Sequence, residues 1–487
     1  MKVQNREAVE SRACDHFEER RNYIREKYNQ IAGSRERWIT RNSYFYNKLG
    51  AFLRFIVEAR KQVLLVRSEL GQFLDILQPL SATGIDISQK MVDQATQKHA
   101  HYEFLCAEPE TVELTKTYDY VIFYTVGEII DIQKAFLNVS KYMEKDGRLI
   151  VINYNYLWRP IVVLAEILKL KIPQPVQNWL NVPSIENFLC LSGYEVIKKY
   201  NQILMPVRMP LISWLFNSVI SKLPLIKKLC FVQVIVARKK GCALRSEGYS
   251  VSVIVPCKNE RENIESAVLR IPDMGKGTEI IFCDDKSSDG TLEEIIKVIE
   301  KYPDRDIKLV HGPGICKALN VWTGFDAAKG DILMILDADL TVIPEELIYF
   351  YNALATGRGE FINGTRMIYF MEKDAMRFLN IIGNKFFSML FSYILGQKIT
   401  DTLCGTKVFF REDWYKIRRL IGSWGISDRW GDYELLFGAA KLHMKILEVP
   451  VHYGERVYGE TKMKKRFLNG LIMLRMSFAA FRKFKFV

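Results

Sequence analysis

Residues 331–339 read DILMILDAD, five apolar residues closed by two aspartates one residue apart. A continuous apolar run of this length bounded by polar residues reads as a buried strand. Residues 279–285, EIIFCDD, repeat the design: an apolar run that ends on Asp284 and Asp285. In open α/β sheets, ligands collect outside the carboxyl ends of the strands. Asp337 and Asp339 leaving one strand aim two hard oxygen ligands at one point, which suits Mg²⁺ or Mn²⁺ on a diphosphate. A lone Asp-x-Asp would say little, because turns favour aspartate. Two acidic pairs ending strands of one sheet say more.

Around these strands lies an alternation of elements. Strands are expected at 251–255, 279–283, 307–311 and 331–336, with helices at 291–301 and 316–328. An earlier alternation has strands at 63–66, 82–87, 118–124 and 148–153, then a proline-broken apolar stretch over 161–226 and a last strand at 232–237. Strands alternating with helices predict mostly parallel sheets covered on both faces. The chain is therefore expected to be α/β with two domains, at 1–240 and 250–487, joined by a polar linker at 241–249. Residues 1–60 read as charged, helix-prone sequence.

The 487 residues are too many for one ordinary core, and 49% hydrophobic with 26% charged residues is the balance of a folded protein. The net charge is +13, part of it in a tail where Lys462, Lys464, Lys465 and Arg466 precede Arg475, Arg482, Lys483 and Lys485. Such a surface suits anionic lipid, nucleic acid or diphosphate substrates, or is simply a solvated tail, and charge alone does not choose; the partners expected of the whole chain do not include nucleic acid. Nine cysteines are dispersed without a C-x-x-C pair, which points to reduced thiols. The charged N-terminus has no secretory signal, and no apolar run reaches the ~18 residues of a spanning helix. A cytoplasmic protein, peripheral on the cytoplasmic face of a membrane, is the expectation.

The runs VSVIVPCKNERENI, IIFCDDKSSDGT and AKGDILMILDADLTVIPEE, in that order, resemble the family 2 glycosyltransferases of the A fold. FINGTRM, DTLCGTKVFFR, WGDYELLFGAAKLHMKILEVPV and ERVYGETKM resemble its polyprenyl-phosphate branch, which includes the dolichyl-phosphate mannose synthases. The resemblance covers nearly all of 250–470. It implies an inverting, metal-dependent transfer of a sugar from a UDP or GDP donor to a polyprenyl phosphate, or to a glycan hydroxyl. Pro256, Asn259, Glu260, Asp284 and Asp285 would border the base and ribose, and Asp337 and Asp339 would hold the metal. Arg366, Arg456 and Lys462 would meet phosphates. The branch often has Gln or His two residues after the second metal aspartate; here that place is Thr341, a poorer ligand that leaves room for water. A lipid phosphate is already ionised near neutral pH and needs no general base. For a hydroxyl acceptor Asp432 is the candidate base, with Glu434 second; Asp432 is equally readable as an acid placed by a helix dipole.

Residues 375–395, AMRFLNIIGNKFFSMLFSYIL, place Arg377, Asn380, Asn384, Ser388 and Ser392 on one narrow helical stripe, with nearly everything else apolar. Such a helix belongs in a core, a partner or a lipid interface. Its place between two motifs, with the basic tail, favours the lipid interface and puts Phe386, Phe387 and Phe391 against lipid.

The first domain resembles the class I methyltransferase fold over about a hundred residues. GIDIS places Asp86 where that fold's acid would bind the cofactor ribose, and EKDGRLIVIN resembles its later glycine turn and strand. The glycine-rich turn reads VLLVRSELG instead, with Arg67 and Glu69 at glycine positions and Gly71 alone remaining. Side chains there obstruct the approach of a cofactor, so S-adenosylmethionine is a doubtful ligand and a role as scaffold or regulator is expected. A bifunctional methyltransferase–glycosyltransferase is the alternative.

Overall fold

The computed structural model describes residues 2–172, 178–241, 248–367, 378–425, 428–454, 456 and 466–486. The chain divides into two compact units that meet in sequence at Lys240 and Gly241. Residues 242–247 of the expected linker lie outside the described residues, and Tyr249 at its end is buried in the core of the second unit.

In the first unit two helices, Lys2–Arg41 and Ser43–Ile56, precede seven strands. These are β1 (Gln62–Val66), β2 (Ser81–Asp86), β3 (Glu103–Cys106), β4 (Tyr118–Phe123), β5 (Met143–Tyr154), β6 (Tyr194–Gln202) and β7 (Val232–Lys239). They lie in the order β3-β2-β1-β4-β5-β7-β6, parallel except for the two pairings of β7. Side chains alternate across the pleat: Val63 and Leu65 enter one core, Leu64 and Val66 the other. A smaller cluster pins the first helix, through Ile24 and Tyr28, to Leu70, Ile87 and Met91.

The second unit has β8 (Val251–Cys257), β9 (Thr278–Asp284), β10 (Asp306–His311), β11 (Ile332–Ile335), β12 (Phe361–Thr365), β13 (Lys407–Phe410) and β14 (Ile446–Pro450). Their order is β10-β9-β8-β11-β13-β12-β14, with β13 antiparallel to both its neighbours. β8, β9 and β11 run parallel, so their carboxyl ends open on one edge and carry Asp284, Asp285, Asp337 and Asp339 there.

The helix Phe378–Leu395 corrects one expectation. Its polar stripe faces inward: Asn384 and Ser388 are buried, and Asn384 donates to Asp401 at 2.9 Å. Phe387 and Phe391 are buried against Tyr433, and Phe391 also stacks on Phe437, so neither is free to meet lipid. Of the three phenylalanines Phe386 is exposed. A buried carboxylate needed a donor from this helix, and the polar stripe supplied it. Arg377 lies outside the described residues.

Candidate active site

The turn after β8 starts the site. Asn259 sits at φ +54°, accepts the Ser288 amide at 2.8 Å on Oδ1, and its own amide donates to Ser287. Asparagine tolerates this left-handed backbone better than most residues. Glu260 accepts from Asn263 at 2.9 Å, and Pro256 pairs in register with Cys283 of β9. Asp285 accepts the Gly314 amide at 2.7 Å and lies 3.5 Å from Lys258. Asp284 takes the Ser287 amide on Oδ2, while its buried Oδ1 has no hydrogen-bond partner among the described residues. That oxygen is an acceptor the fold leaves open.

Past β11 the two aspartates each meet a cation. Lys317 Nζ is 2.5 Å from Asp337, and Arg456 pairs with Asp339 and lies 3.9 Å from Glu260. Burial works against the charge on Lys317, yet Asp337 first, then Asp432 and Asp339, hold its amine above the ordinary range. Burial likewise opposes ionisation of Asp337, and Lys317 with Lys407 and Arg366 overrides it, so its carboxyl lies below the usual value. Thr341 donates its hydroxyl to Asp339 at 2.9 Å. Among the described residues no group of three or more His, Cys, Asp or Glu converges to hold a metal. A cation on Asp337 and Asp339 would draw its other ligands from water and a diphosphate, as Mg²⁺ commonly does.

A second layer braces the first. Lys407, fully buried on β13, is 3.0 Å from Asp432 and donates to the Cys404 carbonyl at 2.5 Å. Asp428, not Asp432, accepts the Tyr433 and Glu434 amides at the start of the helix Asp432–Lys441, at 2.8 and 3.2 Å. Burial, then Asp432, pushes the Asp428 carboxyl up. Glu434 is buried and accepts the Gly422 amide at 2.9 Å, a structural engagement. Arg366 is clamped by Asp401 through Nε at 2.7 Å and Nη2 at 2.9 Å, with its guanidinium over the Tyr453 ring. Burial raises the Asp401 carboxyl and Arg366 overrides it, down to about 2. Lys462 lies outside the described residues.

Lys317, Lys407, Asp401 and Asp428 were not singled out from sequence. Lys407 had a readable signal, a lysine opening the apolar run KVFF, where a charge must be paired to be tolerated.

In the first unit Asp86 closes β2 and accepts Arg67 at 3.3 Å, the Ser88 amide at 3.0 Å and the Glu69 amide at 3.1 Å. Arg67 and Glu69 hold φ of +61° and +49°, beside Gly71 at +69°, so a glycine-type turn is made with charged side chains. Arg67 lies over the Tyr28 ring at 4.1 Å and donates to Glu128 at 2.9 Å. Glu69 is clamped by Arg35 at 2.6 and 3.1 Å. Burial opposes the charge on Arg67, and Asp86, Tyr28 and Glu128 hold it well above its ordinary value. Beside Asp86 a cavity of about 20 Å³ remains, lined also by Ile24 of the N-terminal helix, room on the order of one water. These residues do not fit a nucleoside cofactor.

Comparison with known proteins agrees with both folds. Residues 252–419 match the model of glycosyl transferase family 2, and residues 69–151 that of a methyltransferase domain. A dolichol-phosphate mannosyltransferase of Pyrococcus furiosus is 30% identical over 218 residues, 44% of this chain and 59% of that protein. An undecaprenyl-phosphate 4-deoxy-4-formamido-L-arabinose transferase of Salmonella paratyphi B is 26% identical over 44% of this chain and 62% of its own length. The chain thus spans about three fifths of these relatives. A SAM-dependent methyltransferase structure from Thermotoga maritima is 16% identical, covers 45% of this chain and 100% of its own, and superposes with a TM-score of 0.36. One chain therefore carries a family 2 glycosyl transferase domain and, before it, a methyltransferase-type domain.

Proposed function

We propose that the second unit transfers a sugar from a UDP- or GDP-sugar to a polyprenyl phosphate, with inversion, on the cytoplasmic face of a membrane. The observation that carries this reading is the pairing of Asp337 with Lys317 and of Asp339 with Arg456, on the sheet edge that also carries Asp284 and Asp285. The similarity to transferases named for dolichol phosphate and undecaprenyl phosphate supports the acceptor class.

Asp284, with its open buried oxygen, Asp285, Asn259, Glu260 and Pro256 form the nucleoside side. Asp337 and Asp339 would hold Mg²⁺ or Mn²⁺; both are partly exposed and each is paired with a flexible cation that can yield its place. When bound, the metal neutralises charge gathering on the leaving diphosphate. Lys317 and Arg456, beside the same carboxylates, would add positive charge that stabilises the departing diphosphate. Arg366 gives Nε and Nη2 to Asp401 and can offer Nη1 to a phosphate. The acceptor phosphate attacks as the anion it already is. Asp432 is engaged by a buried ammonium and is poorly placed to receive a hydroxyl proton, which favours the phosphate acceptor over a glycan hydroxyl. The first unit acts as a scaffold whose cofactor place is filled by its own side chains.

Incubating the full chain with a panel of UDP- and GDP-sugars and Mg²⁺ or Mn²⁺, with and without polyprenyl phosphate, tests the reading. Product that forms in the lipid fraction supports it; release of nucleotide independent of polyprenyl phosphate removes the acceptor assignment. Tritiated S-adenosylmethionine retained by the same protein would restore the bifunctional alternative.

A further inference from the structure

Eighteen of the thirty-four exposed large apolar side chains among the described residues lie in two short segments of the first unit, 156–170 and 207–229. The segments share a base. Asn155 donates to the Lys228 and Cys230 carbonyls at 2.9 Å each, and Trp158 Nε1 to that of Leu229 at 2.7 Å. The helix Arg159–Ile167 buries Val162 alone. Ile161, Leu164 and Leu168 stand exposed along one face, and Ile167 is 71% exposed. A surface helix of a protein bathed in water turns that face inward. In the second segment Leu211 is 83% exposed, held at φ +64°, a left-handed backbone that leucine avoids. Trp214 and Leu225 project beside it, 61% and 80% exposed.

Charge chooses the occupant. Glu166 is the one acidic residue of 156–171, it is ion-paired with Lys171 at 2.8 Å, and 205–229 contains no Asp or Glu. Arg159, Lys169, Arg208 and Lys228 are exposed around the apolar tips. Leucines and a tryptophan projecting among basic residues match a bilayer, whose interior takes the apolar tips and whose anionic headgroups take the rim. No described helix is long and apolar enough to cross a membrane, so the contact is in the plane of one leaflet.

We infer that residues 156–170 and 207–229 form a lipid-docking surface of the first unit, directed at a bilayer containing anionic lipid. The inference uses this unit's surface alone and is independent of the sugar transfer proposed above.

Flotation of the full chain with phosphatidylcholine vesicles, with and without phosphatidylglycerol, tests it. The wild type should float with phosphatidylglycerol vesicles and less as salt rises. Combining Ile167→Glu, Leu211→Glu and Trp214→Glu should lower the bound fraction roughly tenfold or more without moving the melting temperature, since all three side chains are exposed. Leu269→Glu, an exposed leucine of the second unit, should float like the wild type. Brominated-tail lipid should quench a tryptophan signal that Trp214→Phe, a conservative change, no longer shows. A wild type that stays in the soluble fraction at low salt, a triple variant that floats like the wild type, or an unquenched Trp214 each overturns the proposal. So does a triple variant that floats unchanged but loses a dimer in light scattering, which would assign the face to a second copy.

Discussion

Gly405 lies so close to Asp337 that a Cβ there would stand 2.3 Å from Oδ2. Such a contact leaves no room for a methyl group, so Gly405→Ala should displace the carboxylate and lower sugar transfer, while Asp337→Ala should remove it, by ~10²–10³-fold. Steady-state turnover with the fold checked by circular dichroism reads both; an alanine at 337 with near-normal turnover contradicts the assignment. Asp401 calls for a different experiment. It is wholly buried and holds Arg366, so Asp401→Asn strands a buried guanidinium and should cost about 3–5 kcal/mol in urea denaturation. Its folded carboxyl lies near 2 and its unfolded value near ~3.9. A depressed carboxyl contributes stability that is complete above the unfolded value and lost as pH falls through the folded one. The stability gap between wild type and Asp401→Asn should therefore be constant above about pH 4 and narrow toward pH 2.

Among elements, the helix Phe378–Leu395 makes the sharpest contrast. Phe391→Ser should destabilise by roughly 3–5 kcal/mol, as deletion of a packed ring does, and Phe386→Ser by well under 1. Equal shifts in melting temperature would refute the inward placement. The same helix marks the limit of what sequence patterning conveys. Its stripe of Asn384, Ser388 and Ser392 is plain at helical spacing, but periodicity does not tell which side faces in; that is decided by Asp401, a residue distant in sequence that needs a donor. Strands with continuous β-branched runs, such as β8, were legible outright. β12, β13 and β14 were not, because FINGT, KVFF and ILEVP are four or five residues long and interrupted by Gly, Lys or Glu. The acid pairs were legible because each terminates a readable strand. Lys317 and Lys407 were not, because their partners are chosen by tertiary contact and leave no local trace.

Across the whole molecule, two units with separate cores predict two unfolding transitions in calorimetry. Asp401→Asn should shift one and Arg67→Ala the other, with effects that add in the double variant. Arg67→Ala strands Asp86 and Glu128 and should cost about 3–5 kcal/mol. A single transition shifted by both would show that the units unfold as one. Calorimetric titration of the full chain with S-adenosylmethionine should give no heat, and micromolar binding would show that the cleft opens.

The salt-locked turn of the first unit also constrains how that turn can vary. Arg67 pairs with both Asp86 and Glu128, and Arg35 with Glu69, all within one buried cluster. Changing one member leaves the others as uncompensated buried charge, so no single substitution opens the turn without giving a less stable protein. The arrangement is an epistatic lock: room for a cofactor at this turn requires several coordinated changes at once.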